Sequence, residues 1–441
     1  MALQAGVAKI TITPPVGVEL AGWGFGPSVG VLNDLEAQAL VVMPDQGAPV
    51  TIITTDLIGI AVELTQAVRA RVAAATGIPA SNIMLSASHT HSGPAAAYYR
   101  GWGAIDAAYI ATLESHLVGL VTMAYRNLRP AAMGSGLGHV AGAGANRRST
   151  PAARIDPDVP VVRIDDLNGR TIAVLWNYAC HPVSLHSYAN LISPDYPGYA
   201  RSVIRSVLGP DVVVLFTLGA AGDINPSHFR WKQNTPRRSW EMGAILGCEV
   251  AKTALTASFN SREQGCVRAA CTSIDLPLAA LPSMEDLVAL RDNAAALAIE
   301  ARGNNRPWDE IAPAEIDRDW AIEALELVSS DLRAIPTHQR CELQAIQLGH
   351  ALLLAMPLEL FVETGLAIKA HAPGRLTILT SNSNGTLGYL PTRDAYDVED
   401  YTNPQGRAPK VYGLRAFAVG AEPAIRAAAL QLINDFQENA S

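Results

Sequence analysis

The sequence predicts a mixed α/β (α+β) fold with β-sheets flanked by helices. Three observations carry this. Strand-like runs recur along the whole chain, several are continuously apolar and β-branched as in strands buried on both faces, and stretches of helical periodicity lie between them. With 441 residues, 49% of them hydrophobic and 17% charged, the chain can bury a large core. Neither a low-complexity linker nor an internal repeat divides it, so residues 1–441 are expected to form one domain.

In chain order the strand-like runs are VAKITI, AQALVVM, VTIITT, NIMLSAS, PVVRI, TIAVLWNYA, VVVLFTL, CELQAIQLG, HALLLAM and RLTILTS. Their Val, Ile and Thr content favours the extended conformation, and turn residues bound them at strand rather than helix lengths. Helices are predicted over 61–75, 107–126, 198–207, 240–258, 360–370 and 415–436, where apolar positions recur at helical spacing. Residues 282–335 are helix-rich and more charged, with a waist at GNNRPWDE. They read as an inserted pair of helices. Either it is a solvated surface hairpin, or it caps the active site, as long insertions often do.

Charge and cysteine content exclude several function classes. The net charge is −8 and no Lys/Arg cluster exceeds RNLR or NRR, which argues against nucleic acid or an anionic membrane surface as a partner. The five cysteines include no CxxC pair, so neither a disulfide framework nor a thiolate zinc site is expected. The N-terminus lacks a basic region followed by an apolar one, and runs such as VVVLFTLGAAG are glycine-interrupted and short of a membrane span. A cytoplasmic protein without a membrane anchor is expected; homo-oligomerisation stays open.

The chemistry concentrates at strand ends. SASHTHSGP places His89 and His91 two residues apart after an apolar run, and strand alternation would point both side chains the same way. His181 follows another apolar strand in LWNYACHPVSL, and Glu359 follows a third in LLLAMPLE. Histidine and carboxylate at three such corners suit a catalytic metal, which commonly takes three protein ligands and keeps an open position. Asp223 in GDINP is either a partner orienting a metal-bound histidine or a turn or helix cap. Asp195 reads as a helix cap, and Asp56 is a further strand-end carboxylate. Arg147 and Arg148 stand in a glycine-rich loop, where a guanidinium could steady an oxyanion.

Taken together, AGVAKITITPPVG, SHTHSGP, NRR, NYACHPVSL, GDINP, MPLE and NGTLGYLPT resemble, in this order, the N-terminal catalytic domain of the neutral ceramidase family, from about Ala5 to Tyr412. The resemblance implies a zinc-dependent amide hydrolase. It makes His89, His181 and Glu359 zinc ligands and puts Tyr389 on or beside the metal. It places His91, Arg147 and a later tyrosine around the substrate carbonyl oxygen; Tyr401 fits that tyrosine by its distance from Tyr389. The implied chemistry is attack on a carboxamide by a hydroxide that the zinc ion generates. Two departures stand out. The family often has glycine where Leu358 separates Pro357 from Glu359, and its C-terminal β-sandwich domain and secretory signal are not expected here. Ceramide lies in membranes, so a small or aromatic amide is the expected substrate.

The alternatives are ceramide hydrolysis itself, ester or lactone hydrolysis at the same zinc site, and a non-catalytic zinc-binding protein. A TIM-barrel amidohydrolase would carry its HxH nearer the N-terminus. A serine hydrolase would need a GxSxG elbow, which is missing, and GSGLGHVAGAGA lacks the helix and acidic residue of a dinucleotide site.

Overall fold

The computed structural model describes residues 3–22, 26–148, 154–185, 189–229, 234–260, 265–330, 335–397 and 406–438. Eight strands form the main sheet: β1 (Gln4–Thr11), β2 (Glu36–Met43), β3 (Val50–Thr55), β4 (Ile83–Ala87), β5 (Arg129–His139), β6 (Asp158–Asp166), β7 (Thr171–Tyr178) and β8 (Val213–Leu218). Their order is β8-β7-β6-β5-β1-β2-β3-β4. A second sheet of four strands runs β9 (Val267–Pro277), β10 (His338–Leu348), β11 (Ala351–Ala355) and β12 (Leu376–Thr380).

Most neighbours are antiparallel, but β3–β4, β7–β8 and β11–β12 are parallel. A parallel pair needs a crossover, and each of these has a helix. These are α1 (Val62–Thr76), α3 (Tyr196–Leu208) and α7 (Val362–Ala370). The three units are what aim several strand ends at one place.

The two sheets pack face to face through Leu40, Ile52, Val162 and Leu175 on one side and Ile346, Leu353 and Ile378 on the other. The opposite face of the main sheet is covered by α1, α2 (Ala107–Arg126), α3 and α4 (Pro236–Leu255). The far face of the second sheet packs on α7 and α9 (Ala421–Glu438). The result is a four-layer helix–sheet–sheet–helix arrangement, which confirms the mixed α/β prediction. By length and composition α2 could cross a membrane. Here its Leu113, Leu117, Leu120 and Val121 are buried against the sheet.

Strand β5 escaped the sequence reading because glycine disfavours strands. A Cβ on Gly134, Gly136 or Gly138 would come within 2.7, 3.0 or 2.6 Å of Phe259 or Thr253. These alternate positions let α4 and the chain after it lie against the strand. The run once comparable to a nucleotide loop is therefore a packing device. The half-exposed β9, with its mixed polar alternation, was also missed.

The predicted insertion is a helical hairpin, α5 (Met284–Gly303) and α6 (Trp308–Val328), turning at Asn305 with φ 50°. The helix predicted from 415 begins only at Ala421. Ahead of it, Phe417 bridges Leu278, and the Arg415 guanidinium donates to the carbonyls of Ala279 and Leu278. Those contacts keep the segment extended. A short helix α8 (Arg407–Tyr412) precedes it.

Candidate metal centre

His89, His181 and Glu359 each follow a strand of a different parallel pair. Strand β4 stops at Ala87, so the HTH segment is a loop rather than a continuing strand. Ser88 N donates to Thr55 O at 2.8 Å and His89 N to Leu57 O at 2.8 Å. His89 then takes φ +70°, a left-handed conformation that side chains rarely adopt and that concentrates at functional sites. The two rings still converge, edge to face with centroids 4.8 Å apart. Their meeting comes from this turn and not from strand alternation.

The other corners interlock. His181 N donates to Ile224 O (3.0 Å), so the GDINP loop holds the histidine. Gly222 N donates to Leu360 O (2.7 Å), and a Cβ on Gly222 would lie 2.7 Å from Glu359 O. Only a residue without a side chain lets that loop seat against the Glu359 turn. Glu359 and Tyr389 are register neighbours in a two-residue parallel pairing. Leu358, where the family pattern often has glycine, is fully buried and helps fill the core between the second sheet, α7 and α9.

Hydrogen bonding settles the imidazole tautomers. His89 Nδ1 lies 2.6 Å from Ile58 O and His181 Nδ1 3.1 Å from Ile224 O. A carbonyl oxygen only accepts, so both Nδ1 atoms carry a proton, and the Nε2 atoms are the ones left to ligate a metal. Those Nε2 atoms face one carboxylate oxygen, Glu359 Oε2, at 3.3 and 3.2 Å. His91 Nε2 is 3.3 Å from His89 Nε2, and Tyr389 Oη 3.3 Å from His181 Nε2. The ligand atoms of the three histidines all lie within 4.8 Å of one another. In the neutral imidazole with its proton on Nδ1, each Nε2 offers a lone pair, and a cation between such nitrogens and a buried carboxylate oxygen satisfies all of them. The donor set fits a metal ion.

Titration behaviour agrees. Burial, outweighing the Glu359 carboxylate, drives the His181 imidazole down to about 4, so it is neutral at physiological pH. The His181 shift has a stability consequence. The unfolded imidazole takes up a proton near pH 6.5, whereas the folded one refuses it until about pH 4. Stability of the metal-free protein is therefore lost as pH falls through this window, by about 3 kcal/mol from this group. Urea midpoints for the parent and a His181→Asn variant at pH 7 and 4.5 check it. The variant should lose less on acidification.

Tyr389 is buried beside His181, with ring centroids 6.3 Å apart. The two arginines, indistinguishable in the sequence, separate clearly. Arg147 lies 5.4 Å from the Tyr389 ring centre and donates to Gly222 O. Arg148 instead pairs with Asp394 at 2.6 Å and covers the Phe361 ring. Asp223 joins two loops: it accepts from Val362 N at the start of α7 and from Asn146 Nδ2. It supports the site's framework through these bonds. Asp195 caps α3 as predicted, and Asp56 forms a buried pair with Arg201 at 2.6 Å. Tyr401 lies outside the described residues.

Sequence reasoning missed four participants. Asn382 brings its side-chain amide within 3.0 Å of His89 Nδ1, and with the proton on Nδ1 it is the amide oxygen that can accept there. The Tyr412 hydroxyl donates to Glu359 Oε1. Tyr99 and Trp102 pack edge-on or tilted against Tyr412 and each other, with Trp102 5.8 Å from His91. Their only sequence signal is aromatic residues among glycines, which many turns share.

The profile of the neutral/alkaline non-lysosomal ceramidase family, N-terminal part, matches residues 3–235. The chain belongs to this family. Among its relatives, neutral ceramidase B of Dictyostelium discoideum is 28% identical over 171 residues, 33% of this chain and 24% of that protein. The neutral ceramidase of Pseudomonas aeruginosa is 27% identical over 168 residues, with 33% and 24% covered. The matched stretch thus spans about a quarter of each relative's length. The crystal structure of the Pseudomonas enzyme superposes with a TM-score of 0.71 at 20% identity, covering 98% of this chain and 74% of that one. A ceramidase complexed with C2 gives 0.70 at 18% identity, covering 100% and 76%. At these identities the structural likeness concerns the fold, and the family has the same architecture here.

Proposed function

We propose that this protein is a zinc-dependent hydrolase of carboxamide C–N bonds. The observation that carries the reading is the convergence of two imidazole Nε2 atoms on a buried carboxylate oxygen, with each Nδ1 held by a backbone carbonyl. Nitrogen and oxygen donors of this kind suit zinc, with His89, His181 and Glu359 holding it and Tyr389 beside them. When bound, zinc lowers the pKa of water towards ~7 and polarises a carbonyl oxygen.

The chain's own residues would do the rest. The backbone carbonyls of Ile58 and Ile224 hold the two imidazole ligands in their metal-binding tautomers. His91 is favoured for the substrate carbonyl oxygen over a place among the ligands: His89 and His181 meet Glu359, whereas the His91 ring also faces Trp102 and the aromatic wall. Arg147, exposed beside Tyr389, can add a guanidinium donor to developing negative charge. The leaving amine takes the proton given up by the attacking water.

A small or aromatic amide is the proposed substrate, supported by the buried Tyr99 and Trp102 beside His91 and by Ile316 of the hairpin packing onto them. The names of the relatives favour a second reading, ceramide itself. A panel of amides from short aromatic to long-chain ceramide, assayed with and without a chelator, separates the two. Turnover of short amides that is lost with chelator and restored by zinc is expected. A preference for long-chain ceramide would replace the first reading by the second, and chelator-insensitive turnover would remove zinc from both.

A further inference from the structure

We propose that Tyr412 is a positioning residue for the metal centre, and that the α5–α6 hairpin acts as the clamp that keeps it there. The proposal rests on Glu359 being a metal ligand, and it assigns work to residues outside the ligand set.

Glu359 presents its two oxygens differently. Oε2 faces His89 and His181, while Oε1 accepts the Tyr412 hydroxyl proton. A phenol keeps its proton at neutral pH and can donate it. Occupying Oε1 in this way leaves Oε2 for the metal and fixes the carboxylate's rotation. The Tyr412 ring is itself gripped edge-on by Tyr99 (5.3 Å), Tyr389 (5.7 Å) and Trp102 (6.0 Å). Without the hydroxyl, the carboxylate would be free to turn between one-oxygen and two-oxygen contact.

The placement of Tyr412 depends on the hairpin. Tyr412 ends α8, a helix too short to hold itself in place. Its backbone is tied down by Arg100, whose Nη1 donates to Lys410 O and Gly413 O and whose N–H donates to Val411 O. Buried Arg100 is in turn forked onto Glu323 of α6 at 2.7 and 3.1 Å. Two further ties come from the same helix. Lys410 Nζ meets Asp317 Oδ1 at 2.6 Å, and Trp320 Nε1 donates to Leu414 O at 3.1 Å. Ile316 packs between them against Trp102, Tyr99 and Val411. Of these α6 side chains, Asp317 reaches α8 directly, Glu323 acts through Arg100, and Trp320 holds the chain just after α8. A chain of contacts thus connects the insertion, through Arg100, α8 and Tyr412, to the Glu359 carboxylate.

Zinc affinity, measured by competition with a chromophoric chelator, tests both parts. Tyr412→Phe removes one oxygen and keeps the ring; partners that orient metal ligands typically contribute roughly 10–100-fold to affinity, so a loss in that range is expected. Glu359→Ala should abolish stoichiometric zinc. If Glu359→Ala retains zinc, the ligand assignment is wrong and the proposal goes with it. If Glu359→Ala loses zinc but Tyr412→Phe binds as tightly as the parent, only the positioning role is overturned. For the clamp, the Asp317→Asn/Glu323→Gln double variant should weaken zinc binding in the parent and add nothing in a Tyr412→Phe background. Unchanged affinity in the parent, or a full additive loss, would free the hairpin of this role. Urea midpoints on the same samples separate a local effect from general unfolding.

Discussion

Substituting His89 by alanine is expected to remove bound metal and turnover together. The ring sits wholly buried, its Nδ1–H committed to Ile58 O and its Nε2 facing Glu359. Alanine deletes one converging donor and opens a void at a fully buried position. Metal content by elemental analysis should fall below stoichiometric. Amide turnover should drop by at least ~10³-fold, the scale of losing a principal electrostatic element from a buried site. A His89→Ala protein that is metal-free yet fully active would end the metal-dependent reading.

His91→Ala should behave differently, although the two residues are separated only by Thr90. His91 touches His89 on one side and lies near Trp102 on the other. If it serves the substrate oxygen, its loss spares metal content and lowers kcat by ~10²–10³-fold, equivalent to about 2.7–4 kcal/mol of barrier, with KM less affected. Loss of metal in this variant would instead make it a third histidine ligand, which the 4.8 Å cluster also permits. Metal content therefore decides between the two roles before any kinetics are measured.

Much of the site was legible in the chain because its residues sit at apolar-to-polar transitions. His89, His181 and Glu359 each follow an apolar run that reads as a buried strand, and small residues or proline mark the corner. The resemblance to a known family then sorted their roles. Other features were hidden by the same local logic. The glycine-rich β5 reads as a loop until α4 is seen lying on it, and Tyr412 reads as an ordinary aromatic until α8 folds under α6. Arg147 and Arg148 are adjacent in sequence and chemically identical. What separates them is which has Asp394 within reach.

By itself the sequence determined the mixed α/β class, nearly all the buried strands, the helical insertion and the ligand candidates. These are local properties: periodicity, β-branching and the residues that break a strand. Only the tertiary structure decided that three parallel pairs aim their ends at one point, that His89 must turn left-handed to bring its ring beside His91, and that Tyr412 reaches Glu359. Each of these depends on contacts between residues far apart in the chain. Local pattern carries no information about such distances; packing of the two sheets and their helices supplies it.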